Sequence, residues 1–138
     1  MSGTFIAFGR SIYCPYDPPI DLVQHEIIHL EQQKYSYLHG LVWWWKYYWN
    51  LNFRYSQELP AYKRQAEVIR KLNRLQHSKK QIDEWMPSVY LSIAQIMASP
   101  MYGGMVTESR ALKDLERMRN REILKNGINL IRRNGRAA

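Results

Sequence analysis

The sequence has little cysteine and no long apolar run, and each absence excludes a class of protein. Its single cysteine, Cys14, cannot form an intramolecular disulfide, which excludes a disulfide-stapled scaffold and favours a reducing compartment. The most apolar run, Leu38 to Trp49, is interrupted by His39, Gly40 and Lys46, and a membrane-spanning helix needs about 18 or more apolar residues. Without a secretory signal pattern, the sequence predicts a cytoplasmic protein with no transmembrane segment.

Acidic residues are also scarce relative to basic ones. The 138 residues contain 20 Lys+Arg and 12 Asp+Glu, a formal net charge of +8. Such a charge favours acidic partners. The cations are spread along two segments, Lys63 to Arg74 and Arg110 to Arg136, without the aromatic pattern of a nucleic-acid motif. An acidic protein partner is therefore at least as well supported as nucleic acid, which stays open.

Hydrophobic periodicity predicts a single domain over residues 1–138 with a mainly α (α+β) fold. The runs Phe5 to Phe8 and Ser11 to Tyr13, separated by Gly9, predict a small N-terminal β-hairpin or bent strand. Apolar residues at helical spacing predict four helices: Pro18 to Tyr35, Glu58 to Gln76, Pro87 to Met97 and Thr107 to Gly127. The motif-bearing part covers about residues 4–76, C-terminal helices occupy 87–127, and 128–138 form a frayed basic tail.

An aromatic block lies between the first two of these helices. It contains Trp43, Trp44, Trp45, Tyr47, Tyr48 and Trp49. We expect these rings to form core that covers the first helix, because a small domain needs the buried area. An apolar substrate cleft, or an anchor at a membrane interface assisted by Lys46, is the alternative.

The first predicted helix contains an HExxH motif, His25-Glu26-Ile27-Ile28-His29. Residues four apart lie on one helix face, so two imidazoles can bind one Zn²⁺. Glu26 lies roughly 100° around the helix from His25 and can act as general base on a zinc-bound water. The alternative is a pair of exposed histidines opposite an apolar face.

A catalytic zinc needs a third protein ligand. The positions where a third histidine commonly follows this motif hold Gln33 and Tyr35. The remaining candidates are Glu31, Glu58, Glu67, Glu84, His39 and His77. Glu58 is best placed, because it begins a predicted helix that can pack antiparallel to the first; otherwise it stabilises that helix start through the helix dipole.

These segments together resemble a known family. HEIIHLEQQ at His25 to Gln33, the preceding strand, the aromatic block and Glu58-Leu59-Pro60-Ala61-Tyr62 resemble short HExxH-xx-Q domains of bacterial and bacteriophage proteins, relatives of the gluzincin metallopeptidases and minimal gluzincins. The resemblance implies a zincin-like fold and hydrolysis of a peptide or protein substrate. It implies zinc held by His25, His29 and Glu58, with Glu26 as base. A bacteriophage origin would place the protein in the host cytoplasm.

Other polar residues are candidates for supporting roles. Gln32 can orient a metal ligand or the reacting water, and Tyr62, Tyr55, Arg54 or His77 can stabilise an oxyanion. The N-terminal strands can bind an extended substrate along an edge. Two other functions remain open at this point: a non-catalytic zinc-containing structural or protein-binding module, and a nucleic-acid-associated protease.

Overall fold

The structure, a computed structural model, describes residues 5–117. A hairpin of β1 (Ile6–Phe8) and β2 (Ser11–Tyr13) precedes the helices α1 (Ile20–Gln32), α2 (Tyr37–Trp49), α3 (Leu51–Asn73) and α4 (Lys79–Ala98). A 3-10 helix, Pro100–Tyr102, follows, and α5 covers residues 108–117. The predicted mainly helical fold with a small N-terminal hairpin is confirmed. The predicted end of the last helix near Gly127 and the basic tail at 128–138 lie outside the described residues.

The hairpin closes tightly at Gly9. The strands pair antiparallel, with Ala7 opposite Ile12 and Phe8 opposite Ser11. Gly9 has a φ of 63°, in the left-handed region that glycine adopts without steric cost. The ring of Tyr37, at the start of α2, occupies the space that a side chain at position 9 would need. The turn therefore fixes the hairpin against α2.

Helix α1 packs antiparallel on α3 through its polar face. Contacts run from Gln32 with Gln57 at one end to Asp21 with Gln65 at the other. The histidine face is buried together with Leu30, whereas Ile20 near the start of the helix is exposed. The helix is also shorter than predicted, because residues 34 and 35 have φ values of 55° and 48° that end it.

Helix α3 begins earlier than the sequence predicts. Its start is set by Asn50, whose side chain accepts a hydrogen bond from the Phe53 amide at 2.9 Å, a typical N-cap. Glu58 thus lies about two turns into the helix, and Pro60 lies inside it. The prediction that Glu58 begins the helix is wrong: proline is best tolerated in the first turn of a helix, but Pro60 here lies in the interior.

Helix α4 also differs from prediction. Ser78 and Gln81 form a capping box at its start, so the helix begins about two turns before the predicted start at Pro87. The helix continues through Pro87, because Ile82, Met86, Tyr90 and Ile93 form one continuous buried face on both sides of the proline.

The main hydrophobic core lies between α3, α4 and the C-terminal segment. Its members include Tyr55, Ile82, Met97 and Leu115. Thr107 caps α5, as predicted, by accepting a hydrogen bond from the Arg110 amide at 3.4 Å. Helix α3 therefore packs on the core with one face and on α1 with another, which fixes the position of Glu58 between them.

Helix α2 buries only one side of the aromatic block. Trp43 is buried and Trp44 and Tyr47 are partly buried, whereas Trp45 is 66% exposed and Trp49 is 71% exposed. The prediction that the block is core is wrong for its outer half, because one helix of this length can turn only one face toward α1 and α3. No helix within residues 5–117 has the length and apolar character needed to cross a membrane.

Candidate metal centre

Three buried side chains converge between α1 and α3. The Nε2 atoms of His25 and His29 are 3.1 Å apart. Glu58 approaches both, with Oε2 at 3.3 Å from His25 Nε2 and Oε1 at 3.4 Å from His29 Nε2. Glu58 is only 2% exposed. These residues form a group that could hold a metal ion, and the alternative of two exposed histidines is wrong.

The other candidate ligands lie elsewhere. Glu31 and His39 are exposed, and Glu67 forms ion pairs with the neighbouring cations Lys63 and Arg64 at 3.6 and 3.9 Å. His77 and Glu84 line a separate shallow cleft. Within residues 5–117, the group formed with Glu58 is the one that brings three such donors together.

Gln32 fixes the orientation and tautomer of His29. The Gln32 Nε2 donates to the Gln57 carbonyl at 2.9 Å, so its Oε1 is left to accept from His29 Nδ1, also at 2.9 Å. A proton on Nδ1 leaves the Nε2 lone pair of neutral His29 directed toward Glu58. The contact is the one expected of a residue that orients a metal ligand.

Interactions between charged groups dominate the electrostatics of the centre. Burial raises the pKa of Glu58, but its contacts with His25 and His29 outweigh burial and hold the pKa below its ordinary value. Burial lowers the pKa of His29, but the hydrogen bond and charge of Glu58 outweigh it, so this pKa is raised. His25 Nδ1 and Glu58 Oε2 are buried without a hydrogen-bond partner. Such uncompensated polar atoms are costly, and a cation bound by the carboxylate would compensate Oε2.

Glu26 lies beside this group rather than in it. It is buried and lines the same cleft as the two histidines and Glu58. Burial raises its pKa, against the opposing charges of His29 and His25 and a hydrogen bond from the Ala7 amide. A carboxylate with a raised pKa at the edge of a cleft is suited to accept and return a proton.

Tyr47, which was predicted only as part of the aromatic block, contacts the centre directly. Its hydroxyl donates a hydrogen bond to Glu58 Oε1, and its ring stacks on Trp43 with centroids 4.7 Å apart. Burial, reinforced by the charge of Glu58, raises the pKa of Tyr47, so the hydroxyl stays protonated and remains a donor. Only the packing of α2 on α3 brings it to Glu58.

Tyr62 packs against one of the candidate metal ligands, His25. Its ring packs on His25 with centroids 4.4 Å apart, and its hydroxyl lies 2.7 Å from that of Tyr102. Tyr102, which was not among the predicted residues, lines the cleft itself. The burial of Tyr102 and the charge of Glu58 raise its pKa.

Two of the predicted oxyanion-stabilising residues point away from the centre. Tyr55 donates to Asp114 of α5 at 2.8 Å and belongs to the hydrophobic core, so its assignment to the site is corrected. His77 lies in the separate cleft already described. Arg54 lines the main cleft, but its guanidinium donates to the carbonyls of Tyr47, Tyr48 and Tyr102 at 2.9–3.0 Å and ties these segments together.

The cleft has a volume of about 390 Å³ and is walled on one side by the hairpin. Gln33, fully buried, closes part of the hairpin edge, because its amide donates to the Ala7 carbonyl and accepts from the Gly9 amide, both at 2.9 Å. Trp44 Nε1 also donates to the Ala7 carbonyl, at 3.1 Å. The predicted edge for substrate pairing is therefore already occupied at Ala7 and Gly9, whereas Phe5 still lines the cleft.

Comparison of the chain with protein-family models, with curated proteins and with solved structures finds no match. The resemblance to the gluzincins therefore stays a prediction, and the function is inferred from the geometry of the cleft.

Proposed function

We propose that this protein is a zinc-dependent metallopeptidase that hydrolyses peptide bonds of a peptide or protein substrate in the cytoplasm. The observation that carries the proposal is the convergence of His25, His29 and Glu58 at one point, with Glu26 beside them in one cleft. Each of these side chains is buried, so contacts with neighbouring residues hold it in position.

The donor set favours zinc over other ions. Two imidazole nitrogens and one carboxylate oxygen are a common ligand set of catalytic zinc, with a fourth position open. Ligands about 2.0–2.1 Å from a tetrahedral ion lie ~3.4 Å from one another. The separations of 3.1, 3.3 and 3.4 Å between these atoms are close to that value, so little movement is needed to bind the ion.

The chemistry divides between the ion and the chain. Zinc at this position would polarise the scissile carbonyl and acidify water. Glu26 takes a proton from the attacking water and delivers it to the leaving amine. Gln32 keeps His29 in the tautomer whose Nε2 can donate its lone pair, and Tyr47 holds Glu58 in place.

Tyr102 is the best-placed donor for the developing oxyanion. It lines the cleft, and its raised pKa keeps its hydroxyl protonated. When the neighbouring hydroxyl of Tyr62, 2.7 Å away, donates to Tyr102, the proton of Tyr102 is left for the oxyanion. In this assignment Tyr62 positions the donor, rather than contacting the oxyanion itself.

The deciding experiment compares wild type with Glu26→Gln in a peptide-library cleavage assay, with zinc content measured on both. We expect about one zinc per chain in both proteins and a loss of cleavage of about 10²-fold or more in the variant. Glu31→Gln, on the exposed side of the same helix, is the matched control and should cleave like wild type.

Each contrary result has a distinct meaning. Equal cleavage by Glu26→Gln and wild type would exclude Glu26 as the base. Full zinc occupancy without any cleavage by wild type would replace the peptidase with a zinc-containing structural or binding module. Absence of zinc after exposure to it at neutral pH would remove the metal centre itself.

A further inference from the structure

Helix α2 carries a large apolar surface on the side away from the metal centre. We define this outer face by Leu38, Leu41, Val42, Trp45, Tyr48 and Trp49, each at least 52% and up to 72% exposed. Their spacing of three and four residues places them along one side of the helix. Monomeric proteins rarely expose contiguous apolar patches of this kind unless the patch binds something.

The charge around the outer face is of one sign. From Gln32 to Gln57 the chain contains no Asp or Glu. Lys34 and Lys46 are exposed, and within the described residues neither forms an ion pair. The charged side chains of this segment therefore attract an anionic surface.

The aromatic composition and the positive charge together suit an anionic lipid surface. Tryptophan and tyrosine are enriched where one side of a ring is apolar and the other meets lipid head groups. The helix has 13 residues and is therefore ~20 Å long, too short for a hydrocarbon core of about 30 Å but suited to lie along the interface. A second copy of the chain would present the same positive border, so self-association would bring cations together.

We propose that the outer face of α2 docks this protein on an anionic membrane, with its tryptophans among the lipid head groups and Lys46 against lipid phosphates. Tyr48 belongs to this face and also lines the cleft, so docking places the cleft mouth beside the lipid surface. The docking does not depend on hydrolysis.

The test is co-sedimentation of the full chain with vesicles of phosphatidylcholine alone or of phosphatidylcholine with phosphatidylserine. We expect binding to the anionic vesicles that weakens as salt is raised. Replacing both outer tryptophans (W45S and W49S together) should weaken binding at least about tenfold. Lys46→Gln should weaken it less, with a shallower salt dependence, and Lys71→Gln, an exposed lysine of α3, should not change it.

A pair of leucine variants controls for general loss of apolar surface and for failure of the double variant to fold. Leu38 is 72% exposed on the outer face and Leu75 is 84% exposed outside it. Leu38→Ser should weaken binding and Leu75→Ser should not. Zinc content, measured on every variant, should stay at the wild-type value, which separates this proposal from the metal centre.

Three outcomes would overturn the docking proposal. The first is wild type that stays in the supernatant with anionic vesicles. The second is equal binding by Leu38→Ser and Leu75→Ser. The third is a wild-type dimer in analytical ultracentrifugation that the outer-face variants dissociate, without vesicle binding, which would make the face a protein interface.

Discussion

Replacement of Glu58 by glutamine should remove most of the stabilisation of this protein by zinc. The side chain keeps its size, so packing between α1 and α3 is preserved, but the charge that faces both imidazoles is lost. Loss of a residue that hydrogen-bonds to a metal ligand typically lowers metal affinity about 10- to 100-fold. Loss of a ligand itself should lower zinc affinity at least as much. Tyr47 can still donate to the amide oxygen, so the position of the side chain should be little changed.

The expected size of the effect follows from linkage. At a zinc concentration of 100 times the dissociation constant, an ion that binds only the folded state adds ~2.7 kcal/mol to the free energy of unfolding. For a chain of this length that is a rise in Tm of roughly 10 °C. If Glu58→Gln binds zinc about 100-fold more weakly, the same zinc adds only ~0.4 kcal/mol, or roughly 1–2 °C.

The measurement is thermal unfolding with added zinc and with a chelator. Glu67→Gln is the matched control on the same helix, since its ion pairs with Lys63 and Arg64 are partly exposed and such pairs are worth about 0–1 kcal/mol. It should keep the full zinc-dependent rise. A full rise in Glu58→Gln, or none in wild type, would refute the assignment of Glu58 as a ligand.

Three further predictions concern the surroundings of the centre. Gly40→Ala should destabilise the fold by about 1–3 kcal/mol, although alanine normally stabilises a helix, because the added Cβ would lie 2.8 Å from Gln33 Oε1; unchanged or increased stability in urea unfolding would contradict it. Gln32→Leu should lower zinc affinity about 10- to 100-fold in a chelator competition titration, and wild-type affinity would disprove its orienting role. With chelator present, Tm should fall as the pH rises above about 6.5, because the raised pKa of His29 gives stability that is lost with its proton. The lowered pKa of Glu58 gives stability that is lost only in acid. With zinc the trend above pH ~6.5 should reverse, since the ligands must be deprotonated; parallel Tm curves would count against metal binding.

Much of the centre could be predicted from local sequence. The spacing of His25 and His29 within one helix places their side chains on one face whatever surrounds them, and the hairpin follows from two short β-type runs around Gly9. The prediction that Glu58 approaches His25 and His29 is confirmed. The reason given for it, a helix that begins at Glu58, is wrong. Glu58 lies in the helix interior. The true start of the helix is set by the Asn50 cap, and hydrophobic periodicity does not predict the position of a cap.

The remaining features depend on tertiary packing that periodicity does not encode. Tyr47 and Tyr102 reach the cleft because α2 and the 3-10 helix fold against it. Gln33 is buried because its side-chain amide bonds to the hairpin backbone at Ala7 and Gly9. Nothing in the neighbouring sequence distinguishes it from a solvent-exposed glutamine. Helix α1 buries its histidine face together with Leu30, because α3 presents Glu58 to the histidines, and hydrophobic periodicity does not encode that packing.

The proline within α3 removes one backbone hydrogen bond at the point where α1 packs on that helix. Pro60 has no amide hydrogen, so the carbonyl of Ser56 lacks its partner within the helix, just where the carboxylate of Glu58 projects. Side chains of α1 form hydrogen bonds with α3 on both sides of Pro60. Gln32 donates to the Gln57 carbonyl before it, and Gln24 accepts from Arg64 after it at 2.8 Å. These two side-chain bonds add to the packing of α3 on the core, so the loss of either bond should loosen α1 against the part of α3 that carries Glu58.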